Sequence, residues 1–131
     1  MKKIVVLLSS IILFAFCLGS TIYAIEPRWN NTGSLAYVFE FDDSCTGNAS
    51  ASVTGKIGTS KIECKIEVYR QNGTEWIYVK GDTQTVNDGS MNMELLVNGN
   101  SGQYYKAEFT FTVWRNGTSE VITFTDYATC P

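Results

Sequence analysis

The chain has 131 residues, of which 44% are apolar, 13% aromatic and 18% charged. That length allows one domain, and the composition is globular, too apolar for a disordered tail and too mixed for a multi-span membrane protein. There is no histidine, which excludes Ser-His-Asp, Cys-His and His-zinc chemistry from the outset.

The N-terminus has the three parts of a secretory signal. Lys2 and Lys3 supply the positive start, Ile4 to Leu18 is an apolar run broken by Ser9 and Ser10, and a small and polar stretch ends in Thr21-Ile22-Tyr23-Ala24. Ala24 is the expected residue before the cut. The run is short of the roughly 20 residues of a spanning helix, and no positive flank follows to stop transfer. Cys17 lacks the small residue that lipoprotein processing wants before it, because Phe16 stands there, and Phe14 replaces the usual leucine. The expectation is therefore a leader over residues 1–24, an exported domain over 25–131 and no stable membrane insertion after cleavage. Losing Lys2 and Lys3 leaves 8 basic residues (10 less these two) against 13 acidic ones. A chain of that sign, without a basic cluster, gains nothing from counterion release, so no nucleic-acid or anionic-membrane partner is expected.

From Ser34 onward the dominant pattern has period two. Leu35, Tyr37, Phe39 and Phe41 share a face of a first strand; Ala49, Ala51, Val53 and Ile57 share one of a second. In the third, Ile62, Cys64, Ile66 and Val68 alternate with Lys61, Glu63, Lys65 and Glu67. A fourth covers Glu75 to Lys80, with Trp76 and Tyr78 opposite Ile77 and Val79. Met91, Met93, Leu95 and Val97 mark a fifth. Tyr105, Ala107, Phe109, Phe111 and Val113 mark a sixth, and Ile122 with Phe124 a seventh. Gly58-Thr59, Asn72-Gly73, Asn98-Gly99 and Asn116-Gly117 interrupt the alternation where turns are needed, Asn-Gly being a strong hairpin signal. Pro27 and Pro131 both lie outside the strands. About seven strands at this spacing predict an all-β fold, a single immunoglobulin-like antiparallel β-sandwich, with a closed barrel as the alternative. One apolar face per strand favours the sandwich. Tyr105, inward by parity at the start of the sixth strand, stands where such sandwiches carry a corner tyrosine.

Beyond the leader the cysteines are Cys45, Cys64 and Cys130. An exported chain can form a disulfide, and three cysteines leave one over. Counting strands up and down brings Cys45, after strand one, and Cys130, after strand seven, to the same end. Cys64 lies mid-strand on the apolar face, and a hairpin about Gly58-Thr59 would set Val53 opposite it. The expectation is a Cys45–Cys130 bridge closing about 85 residues, worth roughly 4–5 kcal/mol by chain entropy, with Cys64 a buried free thiol. Without a histidine base, Cys64 has no partner of the usual kind for nucleophilic work.

The remaining acid/base candidates are carboxylates: Asp42-Asp43 beside Cys45, and Asp82 and Asp88 expected in the loop after strand four. Nothing pairs them across a cleft as glycoside hydrolysis requires, so no catalytic residue is assigned and the domain reads as non-enzymatic. Glu40, Asp42 and Asp43 are the nearest approach to a calcium loop, but the spaced EF-hand pattern is absent, and no metal or cofactor is expected. Asn30, Asn48, Asn72 and Asn116 each begin an N-x-S/T sequon, two of them within the Asn-Gly turns, where turn chemistry already accounts for them.

The aromatics do not all fit inward parity. Trp114 shares a face with Thr110 and Thr112, and Tyr69 with Lys65 and Glu67; Trp29, Trp76, Tyr78 and Tyr104 also remain to be placed. Exposed flat rings on a rigid sheet serve sugar stacking and protein interfaces, while rings covering sheet edges or plugging the core end are plain packing. Trp114 and Tyr69 are the first candidate ligand-binding residues, with Trp76 if exposed.

Gly58-Thr59-Ser60-Lys61-Ile62 before strand three, Asn72-Gly73 followed by Trp76, Gly102 with Tyr104-Tyr105, and Asn116-Gly117 with Glu120 give the chain a resemblance to small secreted all-β proteins of Gram-positive bacteria, classed as domains of unknown function. The resemblance spans most of the exported domain. It implies secretion and a sandwich and supplies no catalytic residues. The expected function is a secreted binding module at or outside the cell surface, with carbohydrate or cell-wall polymer as ligand. The alternative is a secreted structural or protein-interaction factor, an adhesin-like or toxin-like subunit binding a surface protein through a sheet edge.

Overall fold

The computed structural model describes residues 29–131 and the backbone of Tyr23–Ala24. Most of the expected leader, with Cys17, lies outside the described residues. The elements are strands in chain order: β1 (Tyr23–Ala24), β2 (Thr32–Phe41), β3 (Thr46–Gly55), β4 (Thr59–Asn72), β5 (Glu75–Val86), β6 (Ser90–Asn98), β7 (Tyr104–Arg115) and β8 (Thr118–Thr129). They form two antiparallel sheets, β1-β2-β3-β6 and β5-β4-β7-β8. Seven of these strands build the sandwich; the two-residue β1 adds to the edge of β2, pairing Tyr23 with Tyr37 and Ala24 with Ala36.

The alternating residues enclose one core. Leu35, Tyr37 and Phe39 stand against Val53, Ala51 and Ala49, so large side chains face small ones across the β2–β3 ladder. Met91, Met93, Leu95 and Val97 extend that inner face. Ile62, Cys64, Ile66 and Val68 of β4 and the row from Tyr105 to Val113 of β7 form the other wall. Such interdigitation brings each buried side chain about 1.5–3 kcal/mol relative to leaving it in water.

The sheet partition corrects one expectation. Gly58-Thr59 does not close a hairpin; it carries the chain from one sheet to the other, so β3 and β4 are not paired. Val53 pairs with Leu35 and Met91, while Cys64 pairs with Gln84 and Phe111. Ile57, expected on the inner face with Ala49, Ala51 and Val53, lies past the end of β3 and is 95% exposed. Asn98-Gly99 likewise leads from one sheet to the other. Asn116-Gly117 does close a two-residue hairpin between Arg115 and Thr118, with φ of 51° and 76°, the left-handed pair that such a turn demands.

Two features fasten the end of the sandwich where Cys45 lies. Cys45 and Cys130 are joined by a disulfide, 85 residues apart in sequence, as the strand directions require. Beside it, the hydroxyl of Tyr105, buried at the start of β7, accepts the backbone N–H of Asn100 at 2.9 Å, which is the corner-tyrosine arrangement. Cys64 is a free, buried thiol. Burial, with the neighbouring Glu63 carboxylate, pushes it up to about 12, so it stays protonated and unreactive.

Candidate functional site

The outer face of the β5-β4-β7-β8 sheet carries the densest group of half-exposed rings. Parity places them there: on β4 and β7 the inward row is apolar, so Tyr69, Tyr104 and Lys106 point the other way. Register then lines them up. Tyr78 pairs with Tyr69, Tyr69 with Lys106, and Lys106 with Tyr127, one rung across all four strands. On the adjoining rung Trp76 pairs with Gln71 and Tyr104 with Thr129.

The rings meet in two sets. Tyr69 and Tyr78 meet edge to face at 5.8 Å. Trp76 reaches over β4 to lie 6.0 Å from Tyr104 and 6.1 Å from Tyr127. Tyr104 and Tyr127 stack at 5.7 Å with planes 11° apart. Three remain well exposed, Tyr104 at 38%, Tyr127 at 49% and Tyr78 at 56%. Trp76 is half-buried, so it neither plugs the core nor stands free.

Lys106 binds the group together. Its ammonium lies 4.7 Å from the Trp76 ring centre and 5.2 Å from that of Tyr69, within cation–π range. It also pairs with Glu108 at 3.0 Å. Lys65 pairs with Glu67 at 2.9 Å on the same face, and this hydrogen bond holds the Lys65 ammonium above its ordinary value. Burial and the Glu67 and Glu108 carboxylates push the Tyr69 phenol up, so its hydroxyl, 3.3 Å from Glu67, keeps its proton.

Of the ring residues singled out from sequence, Tyr69 and Trp76 come together here and Trp114 does not. Trp114 occupies the same face at the other end of β7, eight residues or about 26 Å along the strand from Lys106, under the ammonium of Lys61 at 4.0 Å. Trp29 packs edge-on to Phe124 at the core margin. Tyr127 and Lys106 were not singled out by alternation. The first lies past the clear pattern of the seventh strand, which extends to Thr129; the second reads as an ordinary outward lysine until the register is known.

The carboxylates are occupied with structure. Asp42 accepts from the backbone N–H groups of Ser44 and Thr46 and from the Ser44 hydroxyl, bonds that hold it below the usual carboxylate range. Asp82, expected in a loop, lies within β5 and accepts from the backbone N–H of Thr83; Asp88 accepts from Gly89. Among the described residues no group of three or more acidic or cysteine side chains gathers to hold a metal. No helix among them is long and apolar enough to cross a membrane. The outer face of the other sheet carries a shallow depression floored by small residues such as Ala36, Ser50 and Ser52, and a second one beside Glu40, Asn48 and Leu96.

No family model and no curated protein matches the chain. Among solved structures it is similar to part of the β-glucuronidase of Parabacteroides merdae, at 11% identity and a TM-score of 0.46. The likeness covers 82% of this chain and 13% of that one, so the chain spans a small fraction of the enzyme.

Proposed function

We propose that this domain is a secreted, non-enzymatic binding module acting at or outside the cell surface, and that the band of rings on β5, β4, β7 and β8 is its ligand surface. Carbohydrate or cell-wall polymer is the ligand class. The grouping of Tyr78 and Tyr69 with Trp76, Tyr104 and Tyr127 about Lys106 carries this reading, because flat, half-exposed rings on a rigid sheet bind the apolar faces of sugars at little ordering cost. The Cys45–Cys130 bridge supports an oxidising compartment and hence export.

The test is co-sedimentation of the exported protein with insoluble polysaccharides and with bacterial cell walls. Binding that survives high salt and is lost in Trp76→Ala, with an unchanged circular dichroism spectrum, is the expected result. Loss in Trp114→Ala with retention in Trp76→Ala would move the surface to the far end of the sheet. Failure to sediment with any polymer would turn the assignment toward a protein partner.

A further inference from the structure

Resting on that glycan-binding role, we infer that the ligand is an uncharged, extended oligosaccharide of at least about three pyranose units, lying across the strands from Tyr78 to Tyr127. Three observations lead there.

The first is direction. The rings follow the rungs of the ladder and not the length of any strand: Tyr78, Tyr69, Lys106 and Tyr127 are successive cross-strand partners. Three inter-strand gaps make a band about 14 Å long. A single sugar would cover one or two rings; a chain of about three covers the band.

The second is charge. Lys106, among the rings, and Lys65, four residues along β4 from Tyr69 on the same face, each already hold an acid of this chain, at 3.0 and 2.9 Å. Lys106 is moreover covered by the Trp76 and Tyr69 rings. An incoming uronate or phosphate would have to displace Glu67 or Glu108, and both carboxylates would repel it. A neutral chain meets no such cost, and Gln71 and the phenolic hydroxyls border the rings with groups that suit sugar hydroxyls.

The third is area. The exposed parts of five half-covered rings sum to roughly a few hundred Å², below the roughly 800 Å² per partner of a stable protein interface. A narrow polymer matches that area; a folded protein would need surface beyond the band.

The experiment is calorimetric titration of the exported protein with neutral glucose, xylose and N-acetylglucosamine oligomers of increasing length, and with oligogalacturonates, at low and high salt. Affinity is expected to rise from monomer to trimer and then level off, to be indifferent to salt, and to be absent for the oligogalacturonates. Tyr127→Ala and Tyr78→Ala, at the two ends of the band, should each weaken trimer binding about tenfold, the size of one lost stacking contact. They should leave dimer binding less affected. Ile57→Ser, at an exposed turn outside the band, should change nothing. Equal affinity for monomer and trimer, preference for the charged oligomers, or affinity that falls with salt would each overturn the inference. Sedimentation with cell walls but no binding to any neutral oligomer would overturn it and leave the binding-module reading standing. Binding to neither would remove both.

Discussion

The carboxylate of Asp126 on β8 accepts the backbone N–H of Phe39 on β2 at 2.9 Å, across the open side of the sandwich. The two strands belong to different sheets, and β1 covers only Ala36 and Tyr37 of the β2 edge. A buried acid therefore satisfies a backbone donor that no neighbouring strand reaches, and an inward charge discourages another chain from pairing there. Asp126→Ala should cost about 1–3 kcal/mol, the penalty of an orphaned donor. Asp126→Asn, which keeps an acceptor, should cost less. Denaturant midpoints of the two variants decide this, and equal midpoints would show that the bond contributes nothing.

Six residues earlier on the same row of β8, Glu120 performs a similar task at the other end. Its oxygens accept the backbone N–H groups of Asn30, Asn31 and Thr32 and the Thr32 hydroxyl. Partial burial pushes the carboxyl up, but these four bonds outweigh it and hold the group below its ordinary 4.5. The unfolded chain thus takes up the proton at a higher pH than the folded one. The contribution to stability is complete above 4.5 and lost as pH falls through the lowered folded value. Glu120→Gln should flatten that part of the acid limb in thermal melts recorded across pH. An unchanged slope would assign acid sensitivity elsewhere.

The disulfide closes a loop of 85 residues, for which chain entropy gives about 4–5 kcal/mol. Reduction should lower the denaturant midpoint accordingly, and a Cys45→Ser, Cys130→Ser double variant should behave like the reduced protein. Alkylation under native, oxidising conditions should label no residue of the described domain, because Cys64 is buried and its thiol stays protonated. Labelling of Cys64 should appear only on unfolding.

Tyr105→Phe removes the hydroxyl that the Asn100 N–H donates to and keeps the ring in the core. The expected loss is about 1–2 kcal/mol, read by chemical denaturation. It should be greater than that of Tyr104→Phe, whose hydroxyl belongs to a half-exposed ring on the outer face.

Alternation made the strands legible, because a half-buried strand must alternate. Leu35 to Phe39 and Tyr105 to Val113 are inward where the pattern put them. Pairing was not legible. Period two says which face of β3 is buried but not whether β3 bonds to β4 or to β6, so Cys64 was set opposite Val53. The second half of β5, Gly81 to Val86, carries no apolar row because it is an edge strand whose residues mostly face water, and Asp82 therefore read as loop. The band of rings was half legible for the same reason. Tyr69 could be set outward by parity, whereas Trp76, on a strand apolar on both faces, and Lys106 and Tyr127 acquire their place only once the four strands are in register.

The bridge between Cys45 and Cys130 also fixes how the molecule can yield under tension. A pull applied at Trp29 and Pro131 enters through β2 and leaves through the covalent link, so everything between residues 45 and 130 is bypassed. Only the stretch from Trp29 to Cys45 can be drawn out, an extended length of about 55 Å, and β2 must first slide free of Glu120, Asp126 and the β3 ladder. Single-molecule extension should show that short step with the bridge intact and one several times longer after reduction. With the bridge intact, residues 45–130 stay one closed loop, so the strands that carry the rings bear none of the load while β2 is drawn out.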